Sequence, residues 1–140
     1  DFCLSRGLGD VYKRQDYLRQ HGTPATPADL ARHTLIGFDE ETPFLRTARK
    51  AFPAWTREAL SMRADSDLAQ LALIRAGAGI GFCQAALAAR DRKLVRVLPQ
   101  SCALLLDTWV TMHEDLRHSP RCRAVFDALV QCLLAHTGQQ

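Results

Sequence analysis

The feature that constrains this chain most is the alternation of strand-like and helix-like segments along it. Leu35-Ile36-Gly37-Phe38 reads as a short buried strand, and the polar loop Asp39-Glu40-Glu41-Thr42-Pro43 follows. Phe44 to Ala51 reads as a short helix ended by Pro53. Leu60 to Ala64 alternates weakly, as a strand does, and Ser66 is a good N-cap for a helix carrying Leu68, Leu71, Ala72 and Ile74. Gly77 closes that helix. Ile80 to Cys83 returns as a strand, Gln84 to Arg92 is an Ala/Leu-rich helix, and Leu94 to Leu98 is a strand that Pro99 closes. Trp109 to His113 is β-branched and aromatic, hence another strand. Ser119-Pro120 opens a last helix with the stripe Cys122, Val125, Phe126, Leu129, Val130 and Leu133. Upstream, Thr26, Pro27 and Asp29 give an N-cap, a first-turn proline and an acidic first turn for a helix stopping near His33. Strands alternating with helices of this length predict an α/β fold with a largely parallel sheet.

The first fifteen residues stand apart. Ser5 to Gln15 has no hydrophobic period and no apolar run that would make a signal peptide. In translation it matches one reading frame of a transposase-type sequencing-library adapter, which ends in Asp10-Val11-Tyr12-Lys13-Arg14-Gln15. Residues 1–15 are therefore expected to be an adapter-derived artefact that adds nothing to the fold.

Without them, Lys and Arg number 15 against 13 Asp and Glu, a net charge of +2. So small an excess, with no basic cluster, is no electrostatic footprint for nucleic acid, and the chain alone is not expected to bind duplex DNA specifically. Cys83, Cys102, Cys122 and Cys132 show no C-x-x-C spacing, which points to a reduced, cytoplasmic compartment. No apolar run is long enough to span a bilayer, so no membrane partner is expected.

Four ordered runs carry a family resemblance. Tyr17-Leu18-Arg19-Gln20-His21-Gly22-Thr23-Pro24 leads into Pro27-Ala28-Asp29-Leu30-Ala31-Arg32-His33. Ser66-Asp67-Leu68 leads into Arg75-Ala76-Gly77-Ala78-Gly79-Ile80-Gly81. Leu94-Val95-Arg96-Val97-Leu98-Pro99 comes next, then Trp109-Val110-Thr111-Met112 with Ser119-Pro120-Arg121 and Ala124-Val125-Phe126. In this order and spacing they resemble the C-terminal effector-binding domain of LysR-type transcription regulators, over nearly all of Asp16 to His136.

The resemblance implies an incomplete two-lobed fold like that of periplasmic binding proteins. Residues 16–111 would be most of the second lobe, and 112–140 the C-terminal return into the first. It implies a small-molecule effector in the cleft between lobes, DNA contact only through an N-terminal region of the parent that is absent here, and homo-oligomers of the full-length parent. Effector binding would act through lobe and oligomer rearrangement. A solute-binding protein of the same fold without a DNA-binding partner is the alternative. No cofactor, metal or catalytic role is implied, and no Ser or Cys has a nucleophile-elbow context.

Five residues are candidates for ligand contact. Ser66 lies between a strand and a helix, where helix N-termini offer free N–H groups to ligands, although an N-cap role accounts for it equally. By the resemblance, Phe38 and Asp39 at one strand end and Phe82 and Cys83 at another face the cleft. Phe38 reads equally as a core aromatic, Asp39 as a solvated acid and Cys83 as small apolar filler. Gly77-Ala78-Gly79-Ile80-Gly81 closes a helix and enters a strand, the reverse of a dinucleotide loop. His113, His118 and Cys122 lack a fourth ligand for a structural zinc site.

Overall fold

A computed structural model describes residues 2–137, and the chain falls into two units. One is Gly9–Leu104; the other joins Asp1–Leu8 to Leu105–Gln140. The elements in chain order are β1 (Phe2–Arg14), α1 (Gln15–His21), β2 (Leu35–Gly37), α2 (Pro43–Ala51), β3 (Met62–Arg63) and α3 (Asp67–Ala76). They continue with β4 (Ile80–Gln84), α4 (Ala85–Ala88), β5 (Leu94–Arg96), β6 (Ala103–Val110) and α5 (Pro120–Thr137).

In the larger unit the strands lie in the order β3-β2-β4-β1-β5. β2 pairs in parallel with β3 and β4, whereas β1 is antiparallel to both of its neighbours. The sheet is thus mixed, with two parallel and two antiparallel pairings around one reversed strand, where the sequence pattern suggested a largely parallel one. Alternate residues along a strand face opposite sides, and each side has its own core. Val11, Leu35, Ile80 and Val97 pack with Tyr17, Leu30, Phe52 and Leu60 on one face. Tyr12, Ile36, Cys83 and Leu94 pack with Ile74 of α3 and Ala88 of α4 on the other.

Gly9–Arg14 does not stand outside the fold, contrary to the expectation from sequence that residues 1–15 add nothing to it. Gly9–Arg14 fills the space between β4 and β5: Tyr12 lies opposite Gly81 on one side and Arg96 on the other. Val11 and Tyr12, adjacent and hence of opposite parity, supply one apolar side chain to each core. Asp10 is buried but paired with Arg96 at 2.6 Å. The segment looked aperiodic because only two apolar residues sit among charges. Its strand state comes from the open ladders on both sides, which is a tertiary cause.

Local signals predicted α3 correctly. Ser66 Oγ accepts from the Ala69 N–H at 3.4 Å, and Gly77 adopts φ 78°, donating to Ile74 O. The segment opened by Thr26 is a 3₁₀ turn, Pro27–Arg32, with Asp29 Oδ2 accepting from the Thr26 and Ala25 N–H groups at 2.9 and 3.1 Å. Two elements differ from the reading above. α4 stops at Ala88, because a turn with Lys93 N–H donating to Asp91 Oδ1 follows it. β6 begins at Ala103 and ends at Val110, so Thr111, Met112 and His113 lie beyond it. The two compact units divide at Leu104/Leu105.

Gly79 marks the tightest approach in this unit. A Cβ there would collide with Thr34 O, the acceptor for the Ile80 N–H at 2.9 Å. Backbone cannot swing aside as a flexible side chain can, so Gly79→Ala should cost about 2 to 3 kcal/mol, at the upper end for overpacking. Thermal denaturation checks this: an unchanged midpoint would mean that the β2–β4 spacing is slack.

In the smaller unit β6 pairs with β1. The helix α5 and the end of β6 border an open apolar groove of about 340 Å³ lined by Val110, Met112, Cys122, Val125, Phe126 and Leu129. Val125 and Leu129 remain 62% and 49% exposed there.

Candidate functional site

The carboxyl ends of β2, β3 and β4 lie along one edge of the larger unit, since these strands run in parallel. Open α/β sheets bind ligands at such an edge. β2 delivers Phe38 and Asp39 to it, and β3 delivers Asp65 and Ser66.

Asp65 ties the two exits together. Its Oδ1 accepts from the Asp39 and Glu40 N–H groups at 2.9 and 2.8 Å, fixing the turn after β2. Asp39 Oδ1 in turn meets Arg57 at 2.6 Å and Arg63 at 3.3 Å, and Arg57 Nε donates to Asp39 O at 3.3 Å. The result is an exposed cluster of two guanidinium groups sharing one carboxylate oxygen. Buried Gln70 anchors the exit of β3 from below, its Nε2 donating to Ala64 O at 2.7 Å. These links make the edge rigid, with polar donors and acceptors held in place.

Of the five candidates, Asp39 and Ser66 lie at this edge, and Phe38 follows β2 half-buried. Phe82 and Cys83 part company, because neighbours on a strand face opposite sides. Phe82 packs edge-to-face on Trp55 and Phe52, with ring centroids 4.7 and 5.1 Å apart. Cys83 belongs to the other core and donates to Gln84 O at 3.4 Å. Burial pushes its thiol up, away from the reactive thiolate. Ser66 Oγ already serves α3 as its cap.

Arg57, Arg63, Asp65 and Trp55 were not singled out from sequence. They come from separate loops and turns and meet only through tertiary contacts, so no local spacing announces them. His113 and His118 are engaged with their neighbours, accepting from the Asp115 N–H at 3.3 Å and Arg117 Nε at 3.0 Å. Among the described residues no group of three or more His, Cys, Asp or Glu is placed to hold a metal ion. No helix among them is long and apolar enough to cross a membrane.

The chain matches the family model of the LysR substrate binding domain over residues 11–133. It belongs to that family. Solved structures agree on the fold. The regulatory domain of CrgA, a LysR-type transcriptional regulator from Neisseria meningitidis, aligns with TM-score 0.74 and 22% identity, covering 94% of this chain and 67% of that domain. The AphB regulatory domain of Vibrio vulnificus gives 0.62 and 17%, covering 94% and 68%. The effector domain of the transcriptional regulator AmpR of Pseudomonas aeruginosa gives 0.57 and 19%, covering 95% and 67%. Against the CrgA structure, as distinct from its regulatory domain alone, the chain spans 46% of the length. No curated protein sequence matches it. The family is one of transcription-regulator domains, which is not an enzyme class.

Proposed function

We propose that this chain is the effector-sensing part of a LysR-type transcription regulator, with a small molecule binding at the carboxyl edge of β2, β3 and β4. The observation that carries this is the family match over residues 11–133, which spans every residue of that edge. Asp39, with Arg57 and Arg63, would supply the charged contacts, and Ser66 with the first turn of α3 the N–H donors. Phe38 would border them. Phe82 would act through Trp55, and Cys83 as packing for the opposite face. The parent would contact DNA through another region, act as a homo-oligomer, and work in the cytoplasm.

The same reading gives residues 16–111 to the second lobe and 112–140 to the return segment. The adapter origin of residues 1–15 also has support: Lys13 shares the inward face of Val11 and is 0% exposed, an unusual residue for an interior strand.

The test is thermal-shift screening of the chain against a metabolite collection, repeated with Asp39→Ala and Ser66→Ala. A true effector at a hundredfold excess over its Kd should stabilise the chain by about 2.7 kcal/mol. Asp39→Ala should weaken binding at least tenfold, or about 1.4 kcal/mol. Ser66→Ala will lower the ligand-free stability by about 1 kcal/mol as a lost cap, so only the ligand-induced increment is read. A ligand indifferent to both variants would place the site elsewhere. A full-length parent whose promoter binding ignores that ligand would favour a solute receptor instead.

A further inference from the structure

Away from the candidate site, three titratable side chains surround the ring of Tyr17. Tyr17 of α1 is buried, and its hydroxyl accepts from the Thr34 N–H at 3.0 Å, immediately before β2. Thr34 O accepts from the Ile80 N–H, so the phenol is one residue from the sheet ladder. Lys13 of β1 holds its Nζ 4.8 Å from the Tyr17 ring centroid and donates to Gly22 O at 3.0 Å. The His21 and His33 rings lie 4.3 and 5.9 Å from the same ring. His33 Nδ1 is buried without a hydrogen-bond partner among the described residues.

The charge balance around this ring is lopsided. Lys13 comes from β1, His21 from α1, and Arg32 and Asp29 from the 3₁₀ turn. Asp29 already serves Ala25, Thr26 and Arg32, and Arg19 of α1 is paired with Asp16. The core cluster that Tyr17 joins contributes Leu30, Leu35, Val97 and Cys102, whose thiol burial keeps neutral. Protonating His33 would therefore place another cation near the Lys13 ammonium and Arg32, with Asp29, already engaged elsewhere, as the carboxylate that partly answers it.

We propose that Lys13, Tyr17, His21 and His33 form an acid-sensitive latch, which holds α1 and the approach to β2 on the sheet at neutral pH and releases them when His33 protonates. Burial first, and Lys13 and His21 next, hold the His33 pKa below its ordinary 6.5. The unfolded chain then binds more protons between the lowered value and 6.5, so stability falls as pH drops through that window.

Histidine ring titration by proton NMR on the whole chain, with amide exchange at Thr34, tests the latch. His33 should titrate below 6.5 in the wild type. Lys13→Met should raise its proton affinity about threefold, half a pH unit. Thr34 protection, corrected for intrinsic rates, should fall about tenfold between roughly pH 7 and 5.5. His33→Asn should abolish most of that fall. If His33→Asn does not fold, the Lys13→Met comparison decides alone. A His33 midpoint unmoved by Lys13→Met, or equal Thr34 protection at both pH values, overturns the latch.

Discussion

A chain shortened to begin at Asp16 should not fold. Removing β1 strips β4 and β5 of their shared neighbour and opens both faces of the sheet at once. Val11 and Tyr12 each forfeit roughly 1.5 to 3 kcal/mol of burial, and the residues they covered lose the same contacts from the other side. The anchors around the strand go too: Val97 N–H to Val11 O at 2.9 Å, Arg14 to Arg75 O at 2.9 Å, and Arg96 left without Asp10. A loss of about 5 kcal/mol or more equals the whole stability of many small domains. Urea denaturation followed by tryptophan fluorescence would show no cooperative transition in the shortened chain. A midpoint matching the full chain would show that another segment can occupy the gap, and that β1 is dispensable.

Lys13→Met should make the protein more stable. The ammonium is 0% exposed, and burial alone lowers its pKa from 10.5 to about 8. At 1.36 kcal/mol per unit, keeping it charged at neutral pH costs the folded state roughly 3 kcal/mol. Methionine fills similar space without a charge, but loses the bond to Gly22 O and the contact with the Tyr17 ring. The net gain should be about 2 kcal/mol near pH 7. Between pH 8 and 10.5 the unfolded wild type binds more protons than the folded one, so wild-type stability rises with pH across that window. The advantage of Lys13→Met should therefore shrink in alkali. Paired urea titrations near pH 7 and about 9.5 measure both halves. A variant less stable at neutral pH, or an advantage that does not narrow, refutes the account.

The parts of the fold legible in sequence were those with local causes. Ser66 and Gly77 bracket α3 because a cap and a left-handed glycine act within one turn. Asp29 marked the turn after Thr26 for the same reason, although the backbone there tightened into a 3₁₀ turn. β6 was read too late in the chain, since Trp109 and Val110 drew attention while Ala103 and Leu104 carry weak strand preference. β1 escaped because its state is imposed from outside. At the site, Ser66 and Asp39 could be named from their places at strand ends. Arg57, Arg63 and Asp65 could not, because their ion pairs and backbone contacts join segments whose spacing in sequence is arbitrary. Phe82 and Cys83 looked like one position, and the pleat divides them.

The place of β1 between two late strands also bears on how such a chain is born. Synthesis proceeds from the N-terminus, so residue 12 emerges long before its partners at residues 81 and 96. At about 5 to 20 residues per second, the wait is on the order of ten seconds. During it, a strand with both edges unpaired is a template for neighbouring nascent chains. The reversed strand therefore delays closure of the sheet until nearly the whole larger unit is available. Loop closure over such spans is slow compared with helix formation. Polysome density and the supply of strand-binding chaperones, more than the final stability, would then govern how much of this protein reaches its native state.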